Sequence, residues 1–164
     1  MKVKTFYQYL KMKKEKIIAA KDFFSDEEKR KITNAIKKAE LNTSGEVRVH
    51  IQNFCKRKLM DDAAYWFKTL KMHKTAGRDG VLFYLAVVDR KFAILGDAGI
   101  NKKVSDDFWE TIKEKMASEF KEGKFAEGLE DGILMAGEQL KKYFPYQKDD
   151  VNELPDDISF GEKQ

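Results

Sequence analysis

Eight uninterrupted apolar residues occupy positions 81–88, reading Val-Leu-Phe-Tyr-Leu-Ala-Val-Val. A run of this length, rich in β-branched and aromatic side chains, fits a strand buried on both faces. Asp89 and Arg90 follow, and a second run, Lys91-Phe-Ala-Ile-Leu95, closes on Gly96. Two polar residues between apolar runs predict a hairpin. Neither is Asn or Gly, so a two-residue turn with positive φ at both centres is not the easy solution, and the turn type stays open. A strand without a wet face needs helices above and below it.

The rest of the chain supplies them. Ser25-Asp-Glu-Glu28 is a capping box, and Ile32, Ala35, Ile36 and Ala39 then recur at helical spacing. Asn42-Thr-Ser-Gly45 ends that helix. Glu46-Val-Arg-Val-His-Ile-Gln52 alternates, which puts Val47, Val49 and Ile51 on one face of a first strand and leaves His50 on a wet one. Asp61 and Asp62 suit a helix N-terminus. Ala63, Phe67 and Leu70 give that helix its stripe, and it ends near Met72 and His73. Strand, helix and strand predict a parallel pair with a right-handed crossover, and the third strand returns antiparallel. Residues 97–103 read as a loop. Ser105 is an N-cap candidate before a stripe of Phe108, Trp109, Ile112, Met116 and Phe120. After Gly123 a last helix runs from Phe125 to Phe144. Gly128 and Gly132 share one of its faces, where close approach to the sheet offsets about 1 kcal/mol per glycine. The fold class is α/β: a small mixed β-sheet with a β-α-β-β core, sandwiched between α-helices.

At 164 residues the chain suits one domain with extensions. Residues 1–24 form a basic extension at helical spacing, with seven lysines against Glu15 and Asp22. Residues 25–144 form the α/β domain. Residues 145–164 hold six acids against Lys148 and Lys163, and read as an acidic, disordered tail. The body is close to balanced, so no nucleic acid is expected. The basic N-terminus suits a membrane surface or an acidic protein partner. No apolar run approaches the roughly 20 residues of a membrane span, and no apolar signal region follows Met1. Cys55 is the single cysteine, which excludes an internal disulfide. The expected compartment is the cytoplasm.

No phosphate loop, dinucleotide fingerprint, HExxH, CxxC or GxSxG motif is present. His50 and His73 lie on different elements. Topology alone makes one constellation. The starts of the two parallel strands and the end of the third fall at one end of the sheet. Thr43, Ser44, Gly45 and Glu46 meet Arg78, Asp79 and Gly80 there, with Gly96 and Asp97, and Asp106 can approach from the next helix. Thr43, Ser44, Glu46, Arg78, Gly80 and Gly96 are the candidate binding residues. Asp79 and Asp97 are the candidate acid and base. Asp79, Asp97, Glu46 and Asp106 are the candidate ligands of a hard cation, Ca²⁺ or Mg²⁺. The opposite end, where ligands of open α/β sheets usually sit, offers only Gln52, Asn53, Asp89 and Arg90.

Thr43-Ser-Gly-Glu-Val-Arg-Val49, Asp79-Gly-Val-Leu82, Asp89-Arg-Lys-Phe-Ala-Ile94 with Gly96, and Phe125-Ala-Glu-Gly-Leu-Glu-Asp-Gly132 occur in that order. Together they resemble the TPM domain family, relatives of a thylakoid-lumen phosphatase-like protein, over residues 25–144. The resemblance implies a Rossmann-like α/β domain with helices packed on a small mixed sheet. It also implies two kinds of role. Some members are described as acid phosphatases or bind calcium at an acidic loop cluster; others are accessory domains. The chain departs from the common pattern after the third strand, where Gly96-Asp-Ala-Gly99-Ile-Asn101 has Asn101 at a usually acidic place. The sequence therefore points first to a non-catalytic binding or accessory domain, and second to a weak, metal-assisted acid phosphatase.

Overall fold

Helix α1, Asp26–Glu40, starts where its capping box dictates. Glu28 N–H donates to Ser25 Oγ at 3.1 Å, and Ser25 N–H donates to Glu28 Oε1 at 3.0 Å. The computed structural model describes residues 18–161. The chain continues through β1 (Glu46–Gln52), α2 (Leu59–Thr69), β2 (Gly80–Ala86), β3 (Lys91–Gly96), the short α3 (Ala98–Asn101), α4 (Asp106–Lys121), α5 (Phe125–Tyr143) and β4 (Ser159–Phe160). The sheet order is β3-β2-β1-β4. β1 is parallel to β2 and β4, and β2 is antiparallel to β3.

Every residue of β2 is buried, as its apolar run requires. On one face Val81, Phe83 and Leu85 join Val47, Val49 and Ile51 under α1, α4 and α5, through Ile32, Ile36, Ile112, Met116, Leu129 and Ile133. On the other, Leu82, Tyr84 and Ala86 lie under α2 and the turn after it, through Ala63, Phe67 and Met72. Each large side chain so buried contributes about 1.5–3 kcal/mol. The hairpin is wider than two residues, because residues 87–90 connect the strands. Only Arg90 takes a positive φ, 54°. One left-handed residue costs a non-glycine chain less than two.

The structure corrects several expectations. The second face of β1 is not wet. His50 and Gln52 are buried, because α2 lays Trp66 over His50 (ring centroids 3.9 Å apart) and β4 closes the strand's outer edge. The acidic tail is not disordered over residues 146–161. Ile158 and Phe160 pack on the core, and Gly161 N–H donates to Ile51 O at 2.8 Å. An uncovered β1 would leave a bare edge of backbone donors and acceptors. Residues 98–101 form a helical turn, not a loop, started by Asp97. α2 stops at Thr69, and Met72–Lys74 is a separate 3-10 turn. The two helix glycines face mainly α4. A Cβ on Gly128 would meet Phe120 at 2.5 Å, and one on Gly132 would meet Met116 Sδ at 2.5 Å, with Phe83 of the sheet farther off at 3.2 Å. The basic helix expected over residues 1–24 lies mostly outside the described residues; of the rest, Ala20–Asp22 form one 3-10 turn.

Candidate functional site

The starts of β1 and β2 and the end of β3 meet as the topology requires. Glu46 N–H donates to Asp79 O, and Asp97 N–H to Gly80 O. Arg78, held at φ 50°, turns its guanidinium onto Asp97. Nε and one terminal nitrogen each lie 2.8 Å from a carboxylate oxygen. Asp97 also accepts from Ala98 N–H at 2.7 Å. Burial works to raise the Asp97 carboxyl, but these donors and the Arg78 charge hold it below the ordinary carboxylate range. Beside this pair lies an open groove of about 330 Å³, lined by Phe67, Lys68, His73, Arg78, Leu95, Gly96 and Asp97. Its floor is apolar, and three of its lining side chains are basic. His73 Nδ1 is buried without a hydrogen-bond partner among the described residues. Gly96 is bare because Trp109 and Ile100 press on it: a Cβ would come within 2.5 Å of the indole.

The other expected residues are tied elsewhere. Thr43 is a cap, its hydroxyl donating to the Leu140 and Phe144 carbonyls at the end of α5. Ser44 Oγ donates to Asp79 Oδ2 at 2.9 Å. Burial pushes the Asp79 carboxyl up despite this bond. Glu46 Oε1 accepts from Glu153 N–H at 2.6 Å, and burial raises Glu46 to about 7. Glu40 accepts from Val47 N–H at 2.9 Å, and burial and then Asp156 raise it further. Asp106 is exposed in the first turn of α4. The carboxylates proposed for a cation therefore answer to different partners. Among the described residues no group of three or more His, Cys, Asp or Glu is placed to hold a metal. The sequence reading missed Lys68 and His73, which the turn after α2 brings beside β3. It also missed Glu153, because the tail was read as disordered.

The carboxyl ends of β1 and β2 are better equipped than expected, but the equipment is internal. Asp62 of α2 is fully buried. Its Oδ2 accepts from Tyr84 and, at 2.7 Å, from Gln52 Nε2; its Oδ1 accepts from Arg57 at 2.8 Å. Gln52 Oε1 faces His50 Nε2 at 3.2 Å, so that nitrogen carries the proton. Nδ1 then accepts from Ser159 Oγ at 2.9 Å. Burial pushes His50 down to about 4, against Gln52's hydrogen bond, and pushes the Tyr84 phenol up. The signal was present in the alternation of β1: Arg48, His50 and Gln52 share the face that meets Tyr84.

A TPM domain profile matches residues 17–139. The chain belongs to the TPM domain family. The solved structure of BA42 from the psychrophilic bacterium Bizionia argentinensis is similar to this TPM domain over 90% of this chain and 99% of that one, with 48% identity and a TM-score of 0.81. The N-terminal domain of a protein from P.gingivalis matches with a TM-score of 0.62 at 16% identity, covering 76% and 82% of the two chains. The N-terminal domain of cg2496 from Corynebacterium glutamicum matches with a TM-score of 0.57 at 13% identity, covering 72% and 74%. These last two share the TPM fold alone. A comparison with curated proteins returns no match.

Proposed function

We propose that this TPM domain is a non-catalytic binding domain that seats an acidic ligand, a carboxylate or an acidic peptide of a partner protein, in the groove between α2 and β3. The observation that carries the reading is the Arg78–Asp97 pair. Both oxygens of Asp97 are taken by Arg78, so the carboxylate best placed for acid–base work is committed to holding the groove's shape. Lys68, His73 and the half-exposed Arg78 guanidinium give a rim of nitrogen donors over the apolar floor of Phe67 and Leu95, which suits a carboxylate carried on an apolar chain. The cytoplasm is part of the same proposal; a single free cysteine, Cys55, is at home in a reducing compartment, and cell fractionation checks it. Amide-resolved NMR titration with acetate and a short acidic peptide tests the groove. Saturable shifts confined to residues 67–78 and 95–97 are expected. Shifts spread over the whole surface would overturn the reading.

One observation favours metal-assisted phosphatase chemistry as a second reading. Glu46 Oε2 and Asp79 Oδ1 are buried without a hydrogen bond among the described residues, and Glu153 acts on both carboxyls. Two such oxygens are fewer than a hard cation takes, about six to eight for Ca²⁺, so the donor set does not fit one. An aryl phosphate assay with added Ca²⁺ or Mg²⁺ separates the readings. Turnover that vanishes in both Asp79→Asn and Asp97→Asn would favour the enzyme.

A further inference from the structure

The two edges of the sheet end differently. At the β1 edge the chain covers itself: β4 pairs there in parallel, with Ser159 beside His50 and Phe160 beside Ile51. At the other edge stands β3, and among the described residues β2 is its only strand partner. Asp97 N–H donates inward to Gly80 O, in register with the pairs Leu82–Leu95 and Tyr84–Ala93. Backbone groups along an antiparallel pair point in and out by turns, so Phe92, Ile94 and Gly96 turn theirs away from β2. Gly96 O is engaged, by Asn101 Nδ2 at 2.8 Å. The N–H and C=O groups of Phe92 and Ile94 face out from the edge. Their side chains and that of Leu95 are half-buried, where every residue of β2 is buried. Such an edge is a template for an added strand.

β3 also has a direction, and it leads to the groove. Its last residues, Leu95 and Gly96, line that groove with Asp97. A chain laid along β3 in the same sense therefore ends among Lys68, His73 and Arg78. Arg78 spends two nitrogens on Asp97 and keeps N–H donors to spare. Lys68 is exposed, over the apolar floor of Phe67 and Leu95. A chain laid the other way would end beside Lys91, which stands in solvent, where an ion pair is worth little.

We propose that the ligand of this domain is the carboxyl-terminal tail of a partner protein, added to β3 as a parallel strand with its terminal carboxylate in the groove. The proposal rests on the reading of the groove as an acidic-ligand site and names the ligand. The edge takes an extended backbone, the donors take a carboxylate, and the direction of β3 puts both requirements on one chain end. An acidic side chain in mid-chain would need the strand to run on past Gly96, where Asn101, itself held by Trp109 Nε1 at 3.1 Å, occupies the outward carbonyl. A two-fold pair of β3 edges centred on Ile94 would need that same carbonyl in both copies.

The test is NMR of the full chain with the peptide acetyl-Lys-Thr-Val-Thr-Val, as the free acid, as the carboxyl-terminal amide, and N-methylated at alternate residues. The free acid should shift the amides of His73, Arg78, Phe92 and Ile94 saturably. It should slow hydrogen exchange at Phe92 and Ile94 at least about tenfold. Nuclear Overhauser contacts should place its last residue beside Gly96. The amidated peptide should bind at least about tenfold more weakly. One N-methylated set should lose about tenfold and the other should bind like the parent, because a strand offers every second amide to one neighbour. Lys68→Ala should weaken the free acid and leave the amidated peptide unchanged. Acetate and peptide that both shift the groove while Phe92 and Ile94 stay unmoved would overturn strand addition and leave the groove reading standing. No shift with either would remove both. Equal binding of acid and amide, or contacts that place the last residue beside Lys91, would overturn the capture of a chain end. Phe92 and Ile94 amides already protected in the free chain would also overturn the proposal. Protection that fades on dilution would give the edge to a second copy, and protection at every concentration would give it to this chain itself.

Discussion

The phenol of Tyr84, in the middle of β2, donates to Asp62 in the first turn of α2, and so fastens the crossover helix to the strand it leads into. Gln52 and Arg57 complete the carboxylate's donors. A buried charge supplied with this many donors is stable; one stripped of them is not.

Tyr84→Phe keeps the packing and removes one donor. It is expected to cost about 1–3 kcal/mol, read as a lower urea midpoint with unchanged slope. An unchanged midpoint would mean that Gln52 and Arg57 suffice.

His50 makes stability depend on acid. Its ordinary value is 6.5, and burial lowers it to about 4 in the fold. Below about pH 6.5 the unfolded chain takes up a proton that the folded chain refuses. The stability is whole above that pH and drains away as pH falls toward 4, by about 3 kcal/mol in all. His50→Gln should flatten this part of a urea-midpoint profile. A profile as steep as that of the parent chain would place the acid sensitivity elsewhere.

Glu40 carries the opposite sign. Burial, then its hydrogen bond with Asp156, raise it from 4.5 to about 10. The folded chain keeps a proton that the unfolded chain has lost, so stability is full below about 4.5 and declines as pH rises toward 10. Glu40→Gln should match the parent near pH 4.5 and melt higher near pH 9. Because His50 acts only on the acid side, thermal melts of the two variants separate the contributions. Equal melting at about pH 9 would show that Glu40 sheds its proton at little cost.

Much of this fold was legible before any coordinates. The apolar run at 81–88 required a doubly covered strand, and the stripes of α1, α2, α4 and α5 supplied the covers. The meeting of Arg78, Asp79 and Asp97 also followed, since topology fixes which strand ends coincide. What failed was everything that depends on a distant segment. Alternation in β1 signals two faces but not what covers each, so His50 read as wet until Trp66 and Ser159 arrived. Residues 158–160 carry too short a pattern to read as a strand; their pairing is decided by the edge of β1. Lys68 and His73 lie a turn apart from Arg78 and Asp97, and only the path after α2 brings them to one groove.

The C-terminal segment is the last point to test. Ending the chain after Leu154 removes Ile158 and Phe160 from the core, the Ser159 partner of His50, and the Gly161 bond to Ile51. Two half-buried apolar side chains and the hydrogen bonds together are worth about 3 kcal/mol. The truncated chain should fold but unfold at lower urea. The backbone amides of β1 that face the lost strand should exchange with solvent faster, while those of β2 and α5 keep their protection. Exchange that rises equally everywhere would mean that the segment stabilises the domain globally. Exchange that does not rise at all would mean that β4 contributes nothing to the edge it covers.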